Sequence, residues 1–499
     1  MDIERLLTRN FCNAYKINTD IKYEIEYINA RELIVPGRID LVAKFKYVEH
    51  KVNNHDVRFV KDLYKKHIEA FSKGTYIEPG NEDKNSIEKY ILVFNELIEN
   101  IRINGVDHNQ SVIPVGKNNE IMDGAHRTAI AAYFNQSVPI IRFNELEANN
   151  NLECFKNLHL DELYLDYLAN EYCKIDKDTY IAIFWPKASG ESNFVKAFEL
   201  LNEKTDVVYK KSIKLSFNGL RNLMIQVYNN HDWMQGFENH FFGAEKKVEA
   251  CYQKDKDTII LILKSNSFEN ILEVKNEIRE LFGIGNHSIH ISDNNEETQQ
   301  LSKILFNNNT IFFLNHGKPD KYIELNKRLI LFKNRVLANG LSLDDFIVES
   351  SAILGLYGLR IANDIDYLSI AEDHKLIENE FIENHIDYLK YHDERIQDLI
   401  YNPNNYFVYN DIKFIDLENL RRFKKNRNEP KDIDDIKLID SVYSNKNKIS
   451  KNILHFKGNL KRKIRNYKYS TRMQIVSLTK KIKVYNALKQ LKYSLRRKK

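Results

Sequence analysis

Cysteine is scarce: Cys12, Cys154, Cys173 and Cys251 are the only four in 499 residues, and none forms a CxxC pair. A disulfide framework and a cysteine-based zinc site are excluded on that count, and a reduced, cytoplasmic protein is the better expectation. Glycine and proline are sparse too, at 17 and 8 residues, which removes collagen-like and low-complexity readings. Long apolar runs are missing. TIILILK, YIAIFWP and NTIFFL fall far below the roughly 20 residues of a bilayer-spanning helix. The N-terminal MDIERLLTRNF places acids ahead of any apolar run, so no secretory signal is expected. What is present, 43% hydrophobic and 11% aromatic residues, is enough for real cores in roughly three domains.

The formal net charge of +5 hides an asymmetry. Residues 451–499 hold 17 Lys/Arg and no acid, which leaves 58 bases against 70 acids, a charge of −12, in residues 1–450. An acidic body is a poor match for a phosphate backbone, so nucleic acid is a disfavoured partner for it. In the basic tail Ile475, Val476, Leu478, Ile482, Tyr485, Leu488, Leu491 and Leu495 recur at three- and four-residue steps. That spacing fits an interfacial helix on an anionic membrane surface. The alternatives are a solvated helix docked on the acidic body, a disordered basic tail and an RNA- or polyanion-binding segment.

Alternating strand-like and helix-like runs predict an α/β (α+β multidomain) fold, divided at 1–148, 149–335 and 336–450, with the tail at 451–499. In the middle unit YIAIFWP, TIILILK, SIHIS and TIFFLN read as strands between helices, which suggests parallel βαβ units. Its chemistry is the least legible. His287, His290, Asp293 and Glu296 cluster in sequence, but residues three apart on a strand face opposite ways. Arg221, His231 and Lys246 near Trp233 are further candidates, for a sugar or nucleotide surface or simply a packed loop.

Two segments carry chemistry. In SVIPVGKNNEIMDGAHRTAIAAYF a strand, a turn and a second strand lead to Asp123-Gly124-Ala125-His126-Arg127 at a helix start. Gly124 permits close backbone approach, and the free helix amides with Arg127 would hold a phosphate. The alternative is an Arg and a His that cap the helix and pair locally. The segment resembles the ParB/sulfiredoxin-like superfamily over about residues 20–145. That resemblance implies nucleotide or phosphate binding through Gly124, His126, Arg127 and Thr128, with Asp123, or more remotely Asp40, as the acid. Ala125 stands where sulfiredoxins carry cysteine, so sulfinic-acid repair is excluded.

The second segment, IVESSAILGLYGLRIANDIDYLSI, places Asp364 and Asp366 two apart on an expected strand, both on one face. Twin carboxylates call for a cation, most simply Mg²⁺ (or Mn²⁺). Ser350, Ser351, Gly358 and Arg360 lie where a phosphoester would approach. A solvated strand edge is the plain alternative. This segment resembles the nucleotidyltransferase superfamily, closest to its LicD-like branch, with the usual Gly-Ser replaced by Glu349-Ser350-Ser351. The resemblance implies metal binding by Asp364 and Asp366 and a third carboxylate from Asp411 or Asp416. It also implies a following helix carrying Lys431, Asp432 and Asp435. The function expected is metal-dependent transfer of a phosphoryl or nucleotidyl group from a nucleoside triphosphate or diphosphate to a sugar or glycan-type acceptor, in the setting of surface polysaccharide biosynthesis. The expected location is cytoplasmic, peripheral on the inner face of a membrane. The alternatives are a ParB-like, nucleotide-switched DNA-binding protein and a nucleotidyltransferase that modifies tRNA or protein.

Overall fold

The short apolar runs of the sequence become the centres of three separate sheets. The computed structural model describes residues 3–444, apart from 73, 77–84, 108, 190–191 and 230. The basic segment 451–499, and with it the expected amphipathic helix, lies outside the described residues. The chain is an α/β multidomain protein. Among the described residues no helix is long and apolar enough to cross a membrane.

The first sheet holds β1 (Glu26–Asn29), β2 (Ile113–Val115) and β3 (Ser137–Arg142) in the order β1-β3-β2. Helices over 40–52, 58–71, 87–104 and 125–133 pack beside it. The third of these starts at Ser86, whose side chain accepts from the Lys89 amide, and stops at Gly105 with φ 68°.

The second sheet holds β4 (Thr179–Phe184), β5 (Asp206–Ile213), β6 (Thr258–Lys264) and β7 (Ile289–Ile291) in the order β5-β6-β4-β7. Every pair is antiparallel, which corrects the expectation of parallel βαβ units. Apolar periodicity reports burial, not strand direction. β4 and β6 are apolar along their centres because both their faces are covered. Ile181, Ile183, Ile260 and Ile262 enter a core shared with the first unit, whereas Ala182, Phe184, Leu261 and Leu263 pack beneath the helices Phe194–Lys204 and Phe268–Phe282. That shared core runs from Ala30 to Leu314 without a break at residue 148.

TIFFLN is not a strand. It lies in the helix Asn308–His316, which begins where the Asn307 side chain accepts from the Thr310 amide and ends at Gly317. A four-residue apolar run is too short for its period to separate strand from helix, and the asparagine cap decides it.

The third sheet holds β8 (Phe346–Glu349), β9 (Ile365–Ser369), β10 (Ile382–Asn384), β11 (Tyr406–Tyr409) and β12 (Ile412–Ile415) in the order β10-β9-β8-β12-β11. The helix Ile323–Ala338 spans the expected 335/336 division, and its Leu325, Leu329, Phe332 and Val336 pack into this sheet's core. Between β8 and β9 the expected turn contains a short helix, Ser351–Leu356.

Asn307 also donates to the Pro403 carbonyl at 3.0 Å, tying the cap to the third sheet. Asn307→Ala is expected to lower stability by about 1–2 kcal/mol, read as a lower urea midpoint at unchanged slope. A change below a few tenths of a kcal/mol would argue against the capped helix.

Candidate active site

β8 ends in a buried carboxylate. Glu349 is fully buried and lies directly opposite Asp366 in the antiparallel β8–β9 register. A lone buried carboxylate is costly unless paired. Here two imidazoles pair it: His385 Nδ1 lies 2.5 Å from Oε1, and His392 Nε2 lies 2.5 Å from Oε2. The other nitrogen of His385 reaches Asp366 Oδ1 at 3.3 Å. His385 is stacked on Tyr388 at 4.4 Å and His392 on Phe423 at 4.6 Å, so both rings are held in orientation.

The electrostatics follow from this packing. Burial pushes the Glu349 carboxyl up, but the hydrogen bonds from His385 and His392 outweigh it and bring it down to about 2. Burial pushes His385 down, yet Glu349 and the charge of Asp366 win and raise it. Asp366 is raised to about 6, chiefly by burial. His385 opposes the rise, while Asp364 and Glu349 add to it.

Past Glu349 the chain bends at Ser350, with φ 62° and ψ −126°, a left-handed backbone that costs a non-glycine residue strain. The bend delivers Ser351, whose hydroxyl donates to Asp364 Oδ1 at 3.0 Å. Asp364 precedes β9 and is exposed; Asp366 lies on the strand and is 6% exposed. Across from them, Arg360 makes a two-pronged bond to Asp435 at 2.8 and 2.9 Å. Asp435 also holds Lys424 at 2.9 Å, and Asp432 holds Arg427 at 2.7 Å. Asp432 and Asp435 of the helix Pro430–Tyr443 therefore anchor basic side chains and do not line the cavity themselves. The resulting cavity, of about 150 Å³, is lined by Ser350, Ser351, Arg360, Asn363, Asp364, Asp366, Arg427 and Lys431.

Six residues singled out in the sequence thus meet in one cavity: Ser350, Ser351, Arg360, Asp364, Asp366 and Lys431. Asp411 does not join them. β12 runs parallel to β8, so Asp411, just before β12, lies at the opposite end of the sheet from Glu349. There it pairs with Lys333 at 2.5 Å. Asp416, at the near end, caps the helix Leu417–Arg427 by accepting from the Glu418 and Asn419 amides. Gly358, at φ 65°, accepts from Lys321 Nζ through its carbonyl and does not line the cavity.

Among the described residues no group of three or more His, Cys, Asp or Glu is disposed around a common metal position. The donors facing the cavity are two carboxylates and serine hydroxyls. This oxygen set suits Mg²⁺, which commonly takes one or two protein carboxylates and completes its shell with water and phosphate oxygens.

The DGAHR element is assembled differently. Gly124 takes φ 85° at the start of the helix Ala125–Tyr133, and a Cβ there would come within 2.5 Å of Ile113 Cδ1. The Gly124 amide donates to Asp123 Oδ1 at 2.6 Å, and Arg127 lies 4.0 Å from the same carboxylate. His126 Nε2 meets the Tyr64 hydroxyl at 2.9 Å, with its ring edge-on to Phe94. Thr128, expected to contact phosphate, is instead fully buried in the core: the fourth residue of this helix turns inward. Asp40 is buried as well. Burial raises its carboxyl, but Arg38 at 2.8 Å and Lys44 at 2.9 Å hold it well below the usual range.

Comparison with protein-family models, curated proteins and solved structures finds no match to this chain.

The Glu349 clamp predicts a pH signature. A lowered carboxyl contributes stability above about pH 4.3 that is lost on acidification; a raised imidazole contributes below about pH 6.5 and loses it as pH rises through its folded value. Glu349→Gln is expected to cost about 3 kcal/mol near pH 6. The gap to wild type should narrow toward pH 8.5 and toward pH 2.5 in denaturation series, whereas a pH-independent gap would count against the clamp.

Proposed function

We propose that the chain is a metal-dependent transferase of phosphoryl or nucleotidyl groups from a nucleotide to a sugar or glycan-type hydroxyl. One observation carries the reading: a single cavity sets Asp364 and Asp366 against Arg360, Arg427 and Lys431. A bound Mg²⁺ would supply charge neutralisation at the phosphoryl oxygens. Asp364 and Asp366 would hold it, with Ser351 keeping the Asp364 carboxylate in place. Arg360, Arg427 and Lys431 face the remaining phosphate oxygens and offset the charge that builds on the leaving phosphate. The acceptor hydroxyl forms the new P–O bond and gives up its proton to water, as the bond to the leaving phosphate breaks and that phosphate departs with the bonding pair. His385, hydrogen-bonded to Glu349, orients Asp366 and keeps its charge matched.

The DGAHR element supports the same class, since Gly124 and Arg127 offer a second phosphate-handling position on another sheet. A cytoplasmic enzyme with a basic tail, residues 451–499, resting on an anionic membrane would meet lipid-linked acceptors there. Surface polysaccharide biosynthesis is the setting such acceptors suggest.

In a turnover assay with nucleoside triphosphate or diphosphate-sugar donors, the double variant Asp364→Asn/Asp366→Asn is expected to lose at least 100-fold in Mg²⁺-dependent rate. His385→Asn should retain the fold but lower kcat and shift its pH profile. Undiminished Mg²⁺-dependent turnover in the double variant would overturn the assignment.

A further inference from the structure

A larger cavity than the Asp364/Asp366 one lies elsewhere. A cleft of about 1120 Å³ opens in the middle unit, between β7, the helices Phe217–Tyr228, Phe242–Cys251 and Phe268–Phe282, and the start of the helix Asn295–Leu305. His231 and Lys246, distant in sequence from His287 and His290, line it with them. His287 lies in a turn before β7, off the strand, so strand alternation does not separate it from His290. Arg221 stays outside, bound to Glu245 and Asp320.

Charge within the cleft is unbalanced. Of its acids, Asp293 is held by Lys275 at 2.6 Å and Glu297 by His290 at 2.9 Å. That leaves Glu296 against Lys246, Lys247 and Arg279. Among the described residues Lys246 and Arg279 have no carboxylate partner, and Arg279 Nε is buried without a hydrogen-bond partner. Lys247 donates to the Asn286 carbonyl at 2.6 Å and lies over the Tyr228 ring. Beside these cations stands an aromatic wall. Trp233 is 43% exposed and lies 5.2 Å from Tyr228 and 6.2 Å from His231, ring to ring. Unpaired cations in a recess call for an anion, and an exposed indole at its rim calls for a planar ring. Pockets of roughly 300–1,000 Å³ take small organic ligands.

We propose that this cleft is a second small-molecule site, built for a nucleoside phosphate whose ring lies against Trp233 and whose phosphates meet Lys246, Lys247 and Arg279. The site is separate from the Asp364/Asp366 cavity and does not depend on the reading of that cavity.

The chain has two tryptophans, Trp233 at the rim of the cleft and Trp185, which is fully buried with its ring 6.5 Å from His290 of the same cleft; loss of the emission change in Trp233→Phe is what assigns it to Trp233. Titration of the full chain with ADP, UDP and inorganic phosphate, paired with equilibrium dialysis, separates the arms. Saturable quenching by ADP or UDP is expected. The quenching should vanish in Trp233→Phe, and dialysis affinity should weaken at least tenfold in Arg279→Gln and Lys246→Met while staying within twofold in Asp364→Asn/Asp366→Asn. Lys246 is exposed, so its variant keeps the test decisive should Arg279→Gln fail to fold. Absence of saturable binding would overturn the site. So would binding unaffected by the cleft variants, binding abolished in the double aspartate variant, or inorganic phosphate binding as tightly as the nucleotides.

Discussion

The candidate active site depends on one buried carboxylate. Glu349 carries its charge into a place with no water, at the end of β8, and the surrounding chain is arranged to make that tolerable. Two histidines seven residues apart close on its two oxygens. Each is stacked on an aromatic ring, so neither swings away without losing packing. Because β9 pairs in register with β8, the same His385 that neutralises Glu349 touches Asp366. Sheet register, side-chain stacking and charge therefore set the position of one cavity carboxylate together. The arrangement is a chain of acid, imidazole and acid that runs from the core to the cavity surface.

The opposite wall follows the same logic with signs reversed. Arg360, Lys424 and Arg427 are brought together on a small area, and three like charges would repel. Asp432 and Asp435, one helical turn apart on Pro430–Tyr443, lie between them. Lys424 is fully buried and spends its charge on the two acids, whereas Arg360 and Arg427 each keep a face toward the cavity. The acidic turn thus positions Arg360 and Arg427 at the cavity, and the two walls reach opposite polarity without an isolated buried charge.

Much of this was legible in the sequence, and the gaps have physical causes. Asp364 and Asp366 are neighbours in the chain, and strand geometry brings them to the same end of β9. Ser350, Ser351 and Arg360 lie within 16 residues of them, so local structure gathers them too. Lys431 was reached through a helix start, which is also a local signal. Arg427 and Asn363 went unnoticed because they carry no spacing of their own. His385 and His392 matter only because β10 pairs with β9, the neighbour of β8, and the chain after β10 closes on Glu349, a relation of sheet order that a single sequence does not reveal; the pair of histidines in HIDYLKYHDE was the available clue. Asp411 failed for the same reason. Its position next to IKFI was right for a strand-borne carboxylate, but strand direction put it at the wrong end. TIFFLN and the antiparallel middle sheet show that apolar runs report burial before they report element or direction.

Strain and charge point the same way at the cavity mouth. Ser350 holds a left-handed backbone that glycine would adopt without cost, and such strain persists where surrounding structure fixes it. Here the fixing elements are Glu349, clamped on one side, and the Ser351–Asp364 hydrogen bond on the other. The bend brings the Ser351 hydroxyl to Asp364, so that Ser350 and Ser351 line one cavity with Asp364 and Asp366. Asp366 answers with a carboxyl raised to about 6, mainly by burial and in part by Asp364 and Glu349, even with His385 beside it. His385 is shared between Glu349 and Asp366, whereas His392 meets Glu349 alone. Asp364 and Asp366 line the cavity together with Arg360, Arg427 and Lys431. A divalent cation carried in with a phosphate ester would satisfy both walls at once, the cation meeting the aspartates and the phosphate meeting the basic side chains.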